Sequence, residues 1–298
     1  MNERDQMKIV GKTDISVLLI TRGEDTVNDV LGSIANQSRL PLEVIIADSS
    51  RDKPKIRWHP PFSLSLITVP PMMGILAARA VAIKRARGAF CLLLDSTRPL
   101  RRDCLESLSK ISETRDMAIL AEGSLGNGLF PRLIQLDKKL VMSPSNVKRA
   151  IDGRSSFAIP RFFRTALLKS AVHRLESRLP PELFWQVRHG DHELLFQECL
   201  KESHSVGAFL VPLLDHYEDR NAFLVAKKYF GYGQSIRISR DLGLRSTSLE
   251  SRKFLRDLSP LSPPEAAAVS FLYAIRGAAF FIGYVLGGFS NRGYPHRG

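Results

Sequence analysis

The sequence predicts an α/β fold: a mostly parallel sheet flanked by helices, followed by a C-terminal helical extension of different character. Three observations carry this. Over the first two-thirds of the chain, short apolar runs alternate with helical periodicity, the pattern of repeated strand–helix–strand units. Several apolar runs end on polar or acidic residues. Beyond residue 219 the chain first becomes basic and then strongly apolar.

The elements follow in order. Residues 15–20 are apolar except for Ser16 and read as a buried strand. Val27, Val30, Leu31 and Ile34 then repeat at helical spacing. Residues 43–48 are a second strand, ending on Asp48, and residues 64–69 a third. Pro70-Pro71 breaks the chain before an alanine-rich helix over 75–87, which Gly88 is expected to cap. Residues 89–95 are a fourth strand, ending on Asp95. Leu105, Leu108 and Ile111 mark a helix, and residues 117–121 a further strand. Residues 123–160 carry Gly, Pro, Ser and Asn and suggest a hairpin near Leu140. Helices are expected over 162–175 and 193–201, a strand over 206–211, and a long helix over 219–242.

The totals limit the functional classes. The 298 residues suffice for one large domain, and the formal net charge of +13 favours anionic partners. Cys91, Cys104 and Cys199 form no CxxC pair, which argues against disulfide staples and structural zinc and for a reducing compartment. Residues 1–12 are polar and lack a signal-peptide core, so the body is expected in the cytoplasm. No zinc finger, RNP-like aromatic motif or helix-turn-helix signal accompanies the basic charge, so nucleic acid is not the expected partner.

Ligands of open parallel sheets bind at the carboxyl ends of the strands. Three strand ends carry polar groups here: Thr21-Arg22, Asp48-Ser49-Ser50 and Asp95-Ser96-Thr97-Arg98. Acids can accept from a base edge or a ribose hydroxyl, and arginines can pair with a diphosphate. Taken singly, each acid is equally well explained as a helix cap. His189, His192, His204 and His216 fall in one segment but lack HExxH spacing, so all but His216 read as surface or structural residues. Glu122 and Asp137 read either as acceptor contacts or as solvated loop charges.

Order and spacing resemble glycosyltransferase family 2. Residues 15–24 (ISVLLITRGE) are similar to that family's opening strand and turn; residues 33–38 (SIANQS) and 41–50 (PLEVIIADSS) resemble its next run. Gly74 with Ala77, Ala78 and Arg79, then residues 86–96 (ARGAFCLLLDS), resemble its central motif. Phe184-Trp185 and residues 190–194 (GDHEL) resemble the segment that supplies its catalytic base.

The resemblance spans residues 14–240 and implies a GT-A-type, Rossmann-like fold and inverting transfer from a nucleotide-sugar donor. It implies donor contacts from Thr21, Arg22, Asp48, Ser50, Arg79, Asp95, Ser96 and Arg98, and Asp191 as the base. Trp185 and Glu193 would meet the acceptor. Asp95, Thr97 and His216 would hold a divalent cation, Mg2+ or Mn2+. Three positions depart from the family pattern. Thr97 replaces the second aspartate of DxD, a weak ligand in place of a hard one, and Arg98 beside it is a candidate to neutralise the diphosphate instead. Ala80 replaces an asparagine, and Gly190 replaces an acid. These departures also fit a non-catalytic scaffold subunit.

The chain is thus expected to divide into a tail (1–13), a transferase domain (14–218), a basic helical extension (219–258) and an apolar C-terminal segment (259–298). Residues 266–289 are long enough to span a bilayer, but Arg276 lies mid-span, at a cost of about 2.5–3.5 kcal/mol, and glycines weaken the helix. Lys227, Lys228, Arg237, Arg240, Arg245, Arg252, Lys253 and Arg256 precede it. The pattern favours helices lying at the cytoplasmic face of the cell membrane, suited to a polyprenyl-linked or cell-surface glycan acceptor. The alternative is a helix packed on the protein's own body or in a dimer.

Overall fold

The computed structural model describes residues 11–51, 56, 60–71, 73–152, 160–241 and 258–290. Residues 1–10 of the polar N-terminus and Arg245, Arg252, Lys253 and Arg256 of the basic stretch lie outside the described residues. Among the described residues seven strands form one sheet: β1 (Ile15–Thr21), β2 (Glu43–Asp48), β3 (Ser63–Thr68), β4 (Phe90–Asp95), β5 (Met117–Leu125), β6 (Pro160–Arg164) and β7 (Val206–Tyr217), in the order β3-β2-β1-β4-β6-β5-β7. Strand β6 runs antiparallel to both neighbours; every other pairing is parallel. The sheet is therefore the mostly parallel, helix-flanked one that the sequence predicts.

Strand β1 is buried at every position because strands flank both its edges and helices cover both its faces. On one face Leu18, Ile45 and Leu93 pack with residues of α2 (Ile75–Arg85), α6 (Thr165–Arg178) and α8 (Asp191–Cys199). On the other, Leu19, Val44 and Leu92 pack with α1 (Val27–Ala35) and α3 (Cys104–Ile111). The register places Thr21 opposite Asp48 and Ile20 opposite Asp95, so the polar strand ends lie along one edge. All three cysteines are buried and free.

Several local expectations are corrected. The hairpin near Leu140 is instead two helices, α4 (Leu129–Val141) and α5 (Pro144–Ile151), because Leu133, Ile134, Asp137 and Leu140 make one buried face at helical spacing. The helix expected from 162 begins only at Thr165; Phe162 and Phe163 belong to β6, inserted between β4 and β5. Strand β7 runs on past Val211 to Tyr217. Gly88 is not the cap of α2, which ends at Arg85 with Ala86 in the cap position; a Cβ at Gly88 would sit 2.7 Å from the Ser16 amide nitrogen. Asp137 is buried rather than solvated, pairing with Arg276 at 2.6 Å and accepting from the Tyr273 hydroxyl at 2.7 Å.

The remaining helices among the described residues are α7 (Pro181–Gln186), α9 (Ala222–Asp241) and α10 (Pro263–Ser290). Contacts pair Phe230 with Gly283 and Gln234 with Gly287, so α9 and α10 lie side by side in parallel. The glycines that weaken α10 as an isolated helix are what let it approach α9: a Cβ on Gly283 would fall 2.1 Å from the Phe230 carbonyl oxygen, and one on Gly233 would fall 2.1 Å from that of Phe280. Arg276 is 7% exposed and also stacks 4.9 Å from the Tyr229 ring centroid. It therefore anchors α10 to α4 and α9 instead of facing outward. Replacing Gly283 with valine should destabilise the protein by about 1–3 kcal/mol, the usual cost of overpacking. Urea unfolding of the variant against the parent checks this; equal midpoints would mean that the two helices do not pack in solution.

Candidate active site

A cleft of about 730 Å³ opens where the carboxyl ends of β1 and β4 meet α2, α8 and α9. That size suits a small-molecule ligand, for which pockets of about 300–1,000 Å³ are usual. At its floor lies Arg79, which α2 points toward the strand ends and which is 0% exposed. Its Nη2 donates to Asp95 Oδ1 at 2.5 Å, its Nε donates to Asp191, and its Nη1 reaches the Leu94 carbonyl at 3.4 Å. One guanidinium thus joins the end of β4 to the start of α8.

Asp191 stands at the first position of α8, where a carboxylate is favoured by the helix dipole. Gly190 before it has φ 81°, a left-handed conformation that an acid at that position would adopt only with strain.

A second set of charges sits beside the first. Arg98 donates from Nη1 to Asp95 Oδ2 and from Nε to Glu122 Oε1 at 3.1 Å. Arg161 on β6 donates from Nε to the same Glu122 oxygen at 2.7 Å and lies 3.7 Å from Asp95 Oδ2. Glu122 is therefore a partly buried clasp on β5 and not a solvated loop charge. At the other wall, Glu24 accepts from Thr21 Oγ1 (2.9 Å), the Arg22 amide (2.8 Å) and Ser96 Oγ (2.6 Å), tying the ends of β1 and β4 together.

The predicted residues fare differently. Thr21, Arg22, Arg79, Asp95, Ser96, Thr97, Arg98, Asp191, Glu193 and His216 all line the cleft. Asp48, Ser50 and Trp185 are not among its lining residues. Asp48 is 1% exposed and accepts from the Ser50 amide at 2.9 Å, an Asx-type turn at the end of its own strand and not a helix cap. Trp185 is 50% exposed on α7, its carbonyl accepting from the Gly74 amide.

Asp95, Thr97 and His216, the candidate metal ligands, all line the cleft. Both Asp95 oxygens are engaged by guanidiniums, and His216 Nδ1 lies 2.9 Å from Glu218. Among the described residues no group of three or more His, Cys, Asp or Glu is arranged to hold a metal ion.

Other lining residues had no role in the sequence reading, among them Arg161, Arg188, His189 and His192. Lys227, Lys228 and Tyr232 of α9 also line the cleft, so it extends past the expected boundary at residue 218. Glu24 was within sight, three residues after Thr21. Arg161 carried no local signal, because only the insertion of β6 beside β4 brings it to Asp95.

Charges and burial set the protonation states. Burial raises the Asp95 and Glu122 carboxyls, but Arg98 with Arg79 and Arg161 for Asp95, and Arg98 with Arg161 and Lys138 for Glu122, hold both well below the usual range. Burial likewise works against Asp191, yet Arg79 keeps it ionised. His192 is pushed down to about 3 by burial and by Arg79, and its Nε2 lies 3.2 Å from Arg161 Nη1. Burial is also the main cause that lowers His189 and His216, each to about 4.

These histidines are neutral at pH 7 in the folded chain. Below about pH 6.5 the unfolded chain binds protons that the folded one refuses, so stability present above that pH is lost as it falls toward 4. The carboxylates add a further loss of the same sign below about pH 4. Urea unfolding at pH 7 and pH 5 should show a drop of about 2 kcal/mol for each buried histidine, and His192→Gln should remove about one such share. Arg79→Met leaves the buried Asp191 without its guanidinium and Asp95 with Arg98 and Arg161 alone, and should cost about 3–5 kcal/mol, measured the same way.

No family profile matches the sequence, and no curated protein sequence matches it. Solved structures do. The S. aureus TarS 1-349 structure in complex with UDP-GlcNAc is similar at 16% identity and TM-score 0.51, over 95% of this chain and 93% of that one. The mannosyltransferase PcManGT from Pyrobaculum calidifontis, in complex with GDP-Man and Mn2+, is similar at 14% identity and TM-score 0.50, over 95% of this chain and 76% of that one. At these identities the likeness is one of fold: this chain has the fold seen in those two proteins.

Proposed function

We propose that the chain is a glycosyltransferase that moves a sugar, with inversion, from a nucleotide-diphosphate donor to a hydroxyl acceptor. The observation that carries this reading is the joint pairing of Asp95 and Asp191 with Arg79, which puts both carboxylates within one sugar's breadth at the carboxyl ends of the strands. The solved structures that share the fold were obtained with UDP-GlcNAc and with GDP-Man, and this supports a nucleotide-sugar donor.

In this reading Thr21, Arg22 and Ser96 face the nucleotide, with Asp48 and Ser50 shaping the neighbouring strand end from behind. Asp191 Oδ2 is held by Arg79, whereas Oδ1 has no protein hydrogen bond among the described residues. Oδ1 takes the proton of the acceptor hydroxyl as its oxygen bonds to the anomeric carbon. The bond from that carbon to the diphosphate oxygen breaks on the opposite side, and the diphosphate leaves with the electron pair. Ionised at neutral pH, Asp191 is in the state a general base needs. Glu193, 5% exposed beside it, orients the acceptor. Trp185, on the surface of α7, is placed to meet only an acceptor that extends beyond the cleft.

The acceptor in this proposal is a lipid-linked or cell-surface glycan, met at the cytoplasmic face of the membrane. Helix α10 is long and apolar enough to cross a bilayer by length and composition. Its inward side packs on α4 and α9, while Phe271, Phe281, Ile282, Val285 and Leu286 are exposed, as is Phe223 on α9. Lys227 and Arg240 are exposed on α9, so cationic and apolar groups share this surface. That combination suits a helix pair lying on anionic lipid. Helix α9 also lines the cleft, so the membrane would lie beside its mouth.

A non-catalytic donor-binding subunit is the second reading, favoured by Thr97 and by the engagement of Asp95 with arginines. Asp191→Asn separates the two: turnover should fall about 100- to 10,000-fold while nucleotide binding is kept. Pathway output unchanged by this variant would favour the scaffold. Anionic liposomes should float the full chain and neutral ones should not, with Phe281→Glu weakening the association. A chain that stays with the soluble fraction in both cases rejects membrane attachment.

A further inference from the structure

Proteins of this fold include one crystallised with Mn2+ alongside its nucleotide sugar. The donor set here does not suit such an ion. Asp95, the acid where a metal motif would begin, gives Oδ1 to Arg79 and Oδ2 to Arg98, with Arg161 at 3.7 Å. A divalent cation would have to enter among three guanidiniums and displace them from a carboxylate they already neutralise. The inner cluster is balanced as it stands: Arg79, Arg98 and Arg161 face Asp95, Asp191 and Glu122.

The two outer guanidiniums are held in place. Glu122 receives the Nε of both, which fixes their planes from two different strand ends. Neither Nη2 has a hydrogen-bond partner among the described residues, although both arginines line the cleft. Arg161 is held below the usual guanidinium range, first by burial and then by the nearby Arg98. Two like charges kept close in a cleft favour an anion that both can share. Seven Lys and Arg but only five Asp and Glu line the cleft, leaving a surplus of positive charge without any metal. Guanidinium forks match phosphate oxygens in geometry as well as in charge.

We propose that Arg98 and Arg161, aligned by Glu122, take the place of a divalent cation, binding the donor diphosphate and stabilising the charge that develops as it leaves. The protein would then be metal-independent. Sequence alone offers Arg98 next to Thr97; the second arginine and the shared clasp come from the structure. The inference rests on the glycosyltransferase reading, and one experiment tells their failures apart.

The experiment is calorimetric titration of the full chain with UDP and with GDP, once in excess EDTA and once in excess Mn2+. The expected result is that the preferred nucleotide binds in EDTA with Kd within about threefold of its value in Mn2+. Arg98→Gln and Arg161→Gln should each weaken it about ten- to a hundredfold, as expected for one charge-assisted hydrogen bond, and Mn2+ should not restore it. Binding that needs Mn2+, or tightens tenfold with it, overturns the arginine-for-metal proposal and leaves the nucleotide site standing. Absence of binding under both conditions overturns the site and the proposal together.

If a glutamine variant fails to fold, Arg98→Lys and Arg161→Lys keep the charge on Glu122 and carry the test. They should fold, bind more weakly than the parent and remain insensitive to Mn2+; parent-like affinity in both overturns the proposal. Thermal unfolding of each variant separates loss of fold from loss of the anion site.

Discussion

The buried Arg79 guanidinium is the interaction on which the site depends. It is sealed from solvent, yet it meets a carboxylate from the end of β4 and another from the start of α8. Removing an ion from water is costly, and that cost is met only when partners are placed with good geometry. The pairing therefore ties two parts of the chain that are 96 residues apart, Asp95 and Asp191, to one point on α2. It also explains why Asp191 stays ionised despite its burial: the charge beside it outweighs desolvation.

Around that point the protein has arranged more buried charge than stability would favour. Arg98 and Arg161 share Glu122, and Lys138 reaches Glu218 at 2.5 Å and Glu122 at 3.5 Å. Neutral histidines fill gaps between the cations, with burial keeping protons off them. Hydrophobic side chains of similar volume commonly hold a fold as well as buried ion pairs do. A dense set of perturbed groups in a cleft is a mark of function, since an anion entering it exchanges water for preorganised donors.

The C-terminal helices serve the same cleft from outside. Helix α9 contributes Lys227, Lys228 and Tyr232 to the wall and supports α10 through close glycine contacts. Arg276, a liability for a membrane-spanning helix, is consumed by Asp137 and Tyr229 inside the protein. What remains outside on α10 is largely apolar. The extension is thus continuous with the site.

The sequence by itself determined the sheet and its polar edge. Apolar runs of strand length, each followed by helical periodicity, are local signals, and the polar residues closing β1, β2 and β4 mark one edge once those strands are parallel. Tertiary structure alone decided what those residues meet. Strand β6 enters the sheet out of sequence order and antiparallel, so no spacing rule brings Arg161 to Asp95 or Glu122 to Arg98. Asp48 looked equivalent to Asp95 in sequence and closes its strand on the same edge, yet it is buried against its own turn, because the strand-end pattern does not say along which strands of that edge the cleft opens. The pairing of Asp137 with Arg276 spans 139 residues and depends on how α10 lies on α4. Periodicity reports which face of an element is apolar; the partner that a charge finds across the fold is fixed only when the elements have packed.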